Sequence, residues 1–154
     1  MEVILYQPDI AGNLGSAMRS CACFGTPLSV IEPCGFPLTA KALRRTAMDY
    51  GAPENITRHT SWDSFQTQPT TGRLVLFTTK GATSLPDFNF KPTDRLLFGR
   101  ESAGAPEKVH AAADARVIIP IAEGARSFNL SISVGIALFE ALRQTGGLPT
   151  STSL

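Results

Sequence analysis

An excess of charge of one sign is missing from this sequence. Fourteen Lys and Arg against thirteen Asp and Glu leave a formal net charge of +1. A protein that grips a long stretch of nucleic acid carries a broad basic field, so any such field here has to be local. No apolar run approaches the roughly 20 residues needed to span a bilayer. The start, MEVILYQPDI, has an acid at its second position and no basic segment, so it does not read as a signal peptide. The expected compartment is the cytoplasm. Cysteine is scarce, with only Cys21, Cys23 and Cys34, and an odd set of three makes no disulfide framework. Cys21 and Cys23 fall in a helical pattern, where residues two apart point about 200° apart, which disfavours a shared zinc. They read as small core or surface positions. The two histidines, His59 and His110, have no acid and nucleophile around them that would suggest a hydrolytic triad. With no H-x-x-x-H or C-x-x-C spacing, no metal is expected.

What is present is an ordinary core-forming composition, 43% hydrophobic and 18% charged over 154 residues, enough for one domain. Glu2 to Tyr6 (EVILY) is a short apolar run stopped by Pro8 and predicts a strand. Leu14, Ala17, Met18, Cys21 and Ala22 repeat at helical spacing, closed by Gly25 and Pro27. Leu28 to Ile31 predicts a second strand, and Thr39 to Met48 a helix with Thr39 as its cap. A strand near Asn55 to Arg58 and a short helix near Ser61 to Phe65 follow. Further strands are expected at Arg73–Thr78, Arg95–Phe98 and Arg116–Ile119, then a helix from Leu130 to Gln144. Strands alternating with helices, several of them continuous apolar runs, predict an α/β fold: a parallel sheet flanked by helices on both faces. Residues 1–145 read as one domain and 146–154 as a flexible tail.

In such a fold ligands sit beyond the carboxyl ends of the strands, which directs attention to three loops. The first runs from Asp9 to Arg19, with Gly12, Gly15, Ser16 and Arg19 on one helical face. A cation this near a helix N-terminus opposes the dipole, so Arg19 calls for an anionic partner: a ligand, or a carboxylate of the protein itself. Gly12-x-x-Gly15 is neither a dinucleotide fingerprint nor a P-loop. The second loop, Phe98 to Pro106, has Gly99 and Gly104 where the backbone must turn or approach a ligand closely. Its Glu101 is either a functional carboxylate or a loop-orienting anion, with a plain solvated loop Glu as the other reading. The third loop runs from Ile118 to Ser133, and Ser127, Asn129 and Ser131 gather where the last helix begins. Capping accounts for one of the three. The helix behind them is apolar on nearly all sides before Glu140, so it is expected to be buried against the sheet or in a subunit interface.

Six segments in this order, LYQPDIAGNLGSAMR, VIEPCGF, LRRTAMDY, FTTKG, LLFGRESAGAPE and IPIAEGARSFNLSISVGIALFEALRQ, resemble the SPOUT superfamily of RNA methyltransferases. They are most similar to its small single-domain branch, the tRNA wobble (cytidine/uridine) ribose 2′-O-methyltransferases. The resemblance implies a C-terminal trefoil knot, S-adenosylmethionine as cofactor, tRNA as substrate and a homodimer whose site uses both subunits. It implies that Phe77, Gly99, Gly104, Ile119, Ser127, Asn129 and Leu130 bind the cofactor, and that Arg19, Asn13 and Glu101 are the catalytic set. Two positions depart from the family pattern: Phe139, where small members commonly have Tyr, and Ala103, where relatives often carry a larger or basic residue.

Methyl transfer from a sulfonium needs an aligned nucleophile more than covalent help. By this resemblance Arg19 binds the RNA phosphate and activates the ribose hydroxyl electrostatically, since Arg stays protonated. Glu101 orients Arg19 or its loop. Lys41, Arg44, Arg45, Arg58, Lys80 and Arg100 are the candidate RNA contacts, and a solvated helix face accounts for Arg44 and Arg45 equally well. The expected substrate is the wobble nucleoside of leucine tRNAs. The alternatives are another tRNA or rRNA ribose, a nucleotide-dependent enzyme on a conventional doubly wound sheet, and a non-catalytic RNA-binding module of the same fold.

Overall fold

Strands buried at nearly every position build the molecule. The computed structural model describes residues 1–47, 56–80 and 83–150. In chain order its elements are β1 (Glu2–Tyr6), α1 (Ala11–Cys23), β2 (Leu28–Ile31), α2 (Ala40–Ala47), β3 (Ile56–His59), α3 (Trp62–Gln66) and β4 (Leu74–Phe77). Then come β5 (Thr83–Ser84), a 3-10 turn (Leu85–Asp87), β6 (Arg95–Phe98), α4 (Glu107–Ala112), β7 (Ala115–Ile118) and α5 (Leu130–Thr145). Every expected helix and strand has a counterpart, within a residue or two where the ends can be compared. The expected helix end at Met48 and strand start at Asn55 lie outside the described residues. The two-residue strand β5 and the helix α4 were not anticipated: the first is too short to show a period, and the second follows Pro106 with only six residues.

Val3 and Leu5, Val75 and Phe77, and Leu96 and Phe98 pack on one face of the sheet with α1, α2 and α5. Ile4 and Tyr6, Leu74 and Leu76, and Leu97 pack on the other with Trp62, Phe65 and Val109 of α3 and α4. Successive side chains of a strand point to opposite faces, so a strand apolar at every position is one covered on both sides. The sheet is therefore the middle layer of three.

Among the described residues the sheet has seven strands in the order β3-β2-β1-β6-β4-β7-β5. Every neighbouring pair is parallel. The chain builds outward from β1 through β2 to β3, then returns to lay β4 one strand-width away from β1. The vacant lane is filled later by β6, whose Leu96 and Leu97 align with Val3 and Ile4 on one side and Val75 and Leu76 on the other. The direction of winding reverses there, and the loops after β1, β6, β4 and β7 come to lie side by side at the carboxyl edge.

At the opposite edge Asp94, fully buried, accepts from Arg73 Nε at 2.9 Å and Nη2 at 2.7 Å and from the Lys91 amide at 2.8 Å. These donors are what makes a buried carboxylate tolerable. Cys21 is buried, Cys34 half-buried and Cys23 exposed, all as free thiols. Burial pushes the Cys21 thiol up to about 12 and the Cys34 thiol up to about 11, so neither is a thiolate at neutral pH.

α5 is capped by Asn129 and ends on Gly146 in the left-handed conformation (φ 69°). Beyond it the Gly147 amide donates to Leu142, and Leu148 packs against the core. The helix buries one face, through Val134, Ala137, Leu138 and Ala141, and leaves Ile132 52% and Phe139 47% exposed. Leu97→Ala, in the middle of the central strand, is expected to cost about 2–5 kcal/mol through lost burial and a residual cavity. The shift of the urea midpoint at unchanged slope checks this.

Candidate functional site

A cavity of about 530 Å³ opens at the carboxyl edge of β6, β4 and β7, within the range of small-molecule sites. Its floor is aromatic. Phe77 stacks on Phe98 with ring centroids 4.7 Å apart and on Phe90 at 6.4 Å, the planes within 10° and 8° of parallel. Around this floor stand the loop after β6, the Thr78–Lys80 segment after β4, Ile119 and Ile121 after β7, and residues 126–130 leading into α5. All seven residues expected to hold a cofactor, Phe77, Gly99, Gly104, Ile119, Ser127, Asn129 and Leu130, line this one cavity. Asn13, Glu101, Lys80 and Arg100 line it too.

Two glycines set the shape of the loop after β6. The Arg100 amide donates to the Gly104 carbonyl at 3.0 Å and the Gly104 amide to the Arg100 carbonyl at 2.9 Å, closing a tight turn. Gly104 adopts φ +65°, which L side chains rarely occupy. A Cβ on Gly99 would lie 2.4 Å from the Gly104 carbonyl carbon, so the turn can close against position 99 only if that residue is glycine.

Glu101 supplies what α1 lacks. The N-cap of this helix, Ile10, offers no side-chain acceptor, and its first turn has no acid. The Glu101 carboxylate instead accepts from the Asp9 amide at 2.7 Å, the Ile10 amide at 3.2 Å and Asn13 Nδ2 at 3.1 Å. An anion at this end of a helix meets the N-cap amide of Ile10 and the positive end of the dipole together. The relay continues, because Asn129 Nδ2 donates to Asn13 Oδ1 at 2.9 Å while Asn129 Oδ1 accepts from the Ser131 amide and hydroxyl. Glu101 thus holds its loop to the first one, and the three expected loops are joined through Asn13.

The basic residues divide. Lys80 is exposed at the cavity, and Lys41, Arg44 and Arg45 are exposed on α2. Arg58 is paired with Glu32 at 2.8 Å and Arg100 with Asp9 at 2.6 Å. Arg19 is exposed on α1 with Gly12 and Ser16, and does not line the cavity of its own chain. The sequence reading assigned no role in the site to either His110 or Asp9. His110, half-buried on α4, also lines the cavity, although nothing in its local sequence distinguishes it from a structural histidine. Asp9 accepts from Arg100 and Ser102, partners more than ninety positions away, and no local signal announces them. Hydrogen bonds from Arg100 and then Ser102 lower the Asp9 carboxyl from 3.8 to about 2. Its stabilising contribution is therefore complete above the unfolded value near 3.8 and is lost as pH falls through about 2. Among the described residues no group of three His, Cys, Asp or Glu could hold a metal ion.

Residues 1–139 match the model of the SpoU rRNA Methylase family. The tRNA (cytidine(34)-2′-O)-methyltransferase of Beijerinckia indica subsp. indica is 50% identical over 146 residues, 94% of this chain and 91% of that protein. A solved structure described as giving structural insights into the 2-OH methylation of C/U34 on tRNA is similar at 39% identity. It has a TM-score of 0.85 and covers 93% of this chain and 94% of its own. The SpoU methyltransferase AviRb from Streptomyces viridochromogenes, in complex with the cofactor AdoMet, is similar at 27% identity and a TM-score of 0.79. That match covers 94% of this chain and 60% of the other.

Replacing Glu101 by Gln leaves a single carboxamide oxygen before three donors and sets an NH2 group among them. The expected loss is about 1–3 kcal/mol, with faster hydrogen exchange at the Asp9 and Ile10 amides. Unchanged exchange at both would remove the capping role from Glu101.

Proposed function

The chain belongs to the SpoU methylase family, and from that premise we propose that it transfers a methyl group from S-adenosylmethionine to the ribose 2′-hydroxyl of the wobble cytidine or uridine of tRNA, with leucine tRNAs as the substrate. The observation that carries this reading is the single cavity lined by parts of all three loops, in a chain half identical to a tRNA (cytidine(34)-2′-O)-methyltransferase over nearly its whole length.

The residues present suit such a cofactor: an aromatic and aliphatic floor for its apolar parts, and polar groups of two loops at the rim. Phe77, Gly99, Gly104, Ile119, Ser127, Asn129 and Leu130 would hold it, Gly99 and Gly104 by leaving the backbone open to close approach. S-adenosylmethionine supplies an electrophilic methyl on a sulfonium, which passes to the ribose oxygen and leaves S-adenosylhomocysteine. The protein's own task is to align the hydroxyl and ease loss of its proton to solvent. A permanently protonated Arg19 does this by lying beside the developing oxyanion and the neighbouring phosphate, acting as a charge and not as a base. Asn13 and Glu101 keep the first loop in the shape that brings the RNA to the cavity. Lys41, Arg44, Arg45 and Lys80 supply phosphate contacts, whereas Arg58 and Arg100 would have to exchange a carboxylate for a phosphate.

The same reading includes a homodimer. Arg19 is absent from the lining of its own cavity, which suits a site completed by Arg19 of the partner subunit. Phe139, its ring 6.3 Å from Phe24, and Ile132 offer an apolar face for that contact. It further includes a trefoil knot in the C-terminal segment, a catalytic domain of residues 1–145 and a tail of 146–154. The same reading includes a cytoplasmic protein, since its substrate would be tRNA.

Incubation with tRNA and S-adenosylmethionine is expected to yield a 2′-O-methylated nucleoside at position 34, read by nucleoside mass spectrometry. Methylation of another ribose, or none, overturns the assignment. Arg19→Ala is expected to abolish transfer while leaving cofactor affinity within a few-fold, measured with tritiated cofactor and by calorimetry. Gly99→Ala is expected to do the reverse of the second part and abolish cofactor binding, because its Cβ has no room beside Gly104.

A further inference from the structure

Asp9 lies outside the cavity lining, yet its carboxylate is among the most heavily bonded groups of the carboxyl edge. Oδ1 accepts from Arg100 Nη2 at 2.6 Å and Nε at 3.2 Å. Oδ2 accepts from the Ser102 hydroxyl at 2.7 Å and its amide at 3.0 Å. An isolated ion pair with side chains 36% and 19% exposed would contribute little. Four donors on one carboxylate, one of them a backbone amide, form a different object. They fix two positions of the loop after β6, Arg100 and Ser102, to a single point on the loop after β1.

The fixing runs in both directions. Glu101, between Arg100 and Ser102, reaches back to the Asp9 amide, so each loop holds the other by a carboxylate. The Asp9 backbone is itself backed by a third segment: the Gly35 amide donates to the Pro8 carbonyl at 2.9 Å, and a Cβ at Gly35 would lie 2.8 Å from the Asp9 carbonyl oxygen. The anchor point is therefore rigid, and the turn attached to it carries Gly99, Glu101 and Gly104 of the cavity wall.

We infer that Asp9 is a positioning residue for cofactor binding: through Arg100 and Ser102 it sets the Gly99–Gly104 turn in its binding shape before the cofactor arrives. This rests on the reading of the cavity as an S-adenosylmethionine site. A loop already ordered need not be ordered by the ligand, so the gain falls on cofactor affinity. The assignment also makes Arg100 primarily a partner of Asp9, not a contact to RNA.

The test compares the full-length wild-type chain with Asp9→Ala, Arg100→Ala, the double variant and the milder Asp9→Asn. Each is titrated calorimetrically with S-adenosylhomocysteine and assayed for KM of cofactor and of tRNA. Asp9→Ala and Arg100→Ala are each expected to weaken S-adenosylhomocysteine binding about tenfold, the scale of one lost charge-assisted hydrogen bond. The double variant should bind no more weakly than either single one, because the two residues act as a unit. KM for cofactor rises, KM for tRNA does not, and kcat at saturating cofactor stays within a few-fold. In the unliganded chain the Ser102 amide exchanges faster in Asp9→Ala, and Asp9→Asn falls between wild type and Asp9→Ala in every measure. Wild-type-like affinity in the variants, or additive losses in the double variant, overturns the inference and leaves the proposed function standing. A rise in KM for tRNA alone on Arg100→Ala overturns it in favour of a phosphate contact. Failure of the wild-type chain itself to bind S-adenosylhomocysteine overturns the proposed function, and this inference with it.

Discussion

The interaction on which the rest depends is the Glu101 carboxylate at the N-terminus of α1. A helix that starts without an acceptor of its own leaves amides unsatisfied beside a partial positive charge. Here the acceptor comes from the far side of the chain, and accepting it draws the loop after β6 across the end of β1. Asn13 and Asn129 then carry the connection to the N-cap of α5. One carboxylate thereby accepts from the N-cap amide of a helix and joins neighbouring strand ends, setting where the cavity wall stands.

That placement follows from the sheet order. Because β6 fills the lane between β1 and β4, its loop has the first loop on one side and the segments after β4 and β7 on the other. The aromatic stack of Phe77, Phe98 and Phe90 seals the cavity from the core beneath it. The inner strands β1, β6 and β4 are apolar on both faces beyond their first residues, and the polar groups of the site lie where these strands end. The chemistry of the protein is consequently concentrated in loops, each fixed at its root by a buried strand.

Much of this was legible in the residues. Short apolar runs punctuated by proline and glycine marked the strands, and the apolar repeat from Leu14 to Ala22 marked α1. The loops containing Asn13, Gly99, Ser127 and Asn129 stood out because polar and glycine-rich stretches follow strands directly. What could not be read was pairing across the chain. Nothing near position 95 says that β6 enters beside β1, since the register is decided by strands 93 positions apart such as Glu2 and Arg95. The same holds for charge. Arg58 and Arg100 look like free cations along the chain, and only the fold brings Glu32 and Asp9 to them. Arg19 was distinguished by its spacing from Gly12 and Ser16, but its absence from the cavity lining depends on how α1 is oriented on the sheet.

The late arrival of β6 also bears on how the chain is made. While residues 1–94 are being synthesised, β1 and β4 each present an open edge to the lane they will later share. Those edges are parallel, apolar on both faces and unable to pair with each other across a full strand-width. Unpaired edges of this kind are templates for association with other chains, and non-local parallel pairing is slow to form. The central strand of the finished enzyme is thus translated after both of the strands it joins, and the emerging polypeptide needs protection at that lane until Arg95 to Phe98 leaves the ribosome.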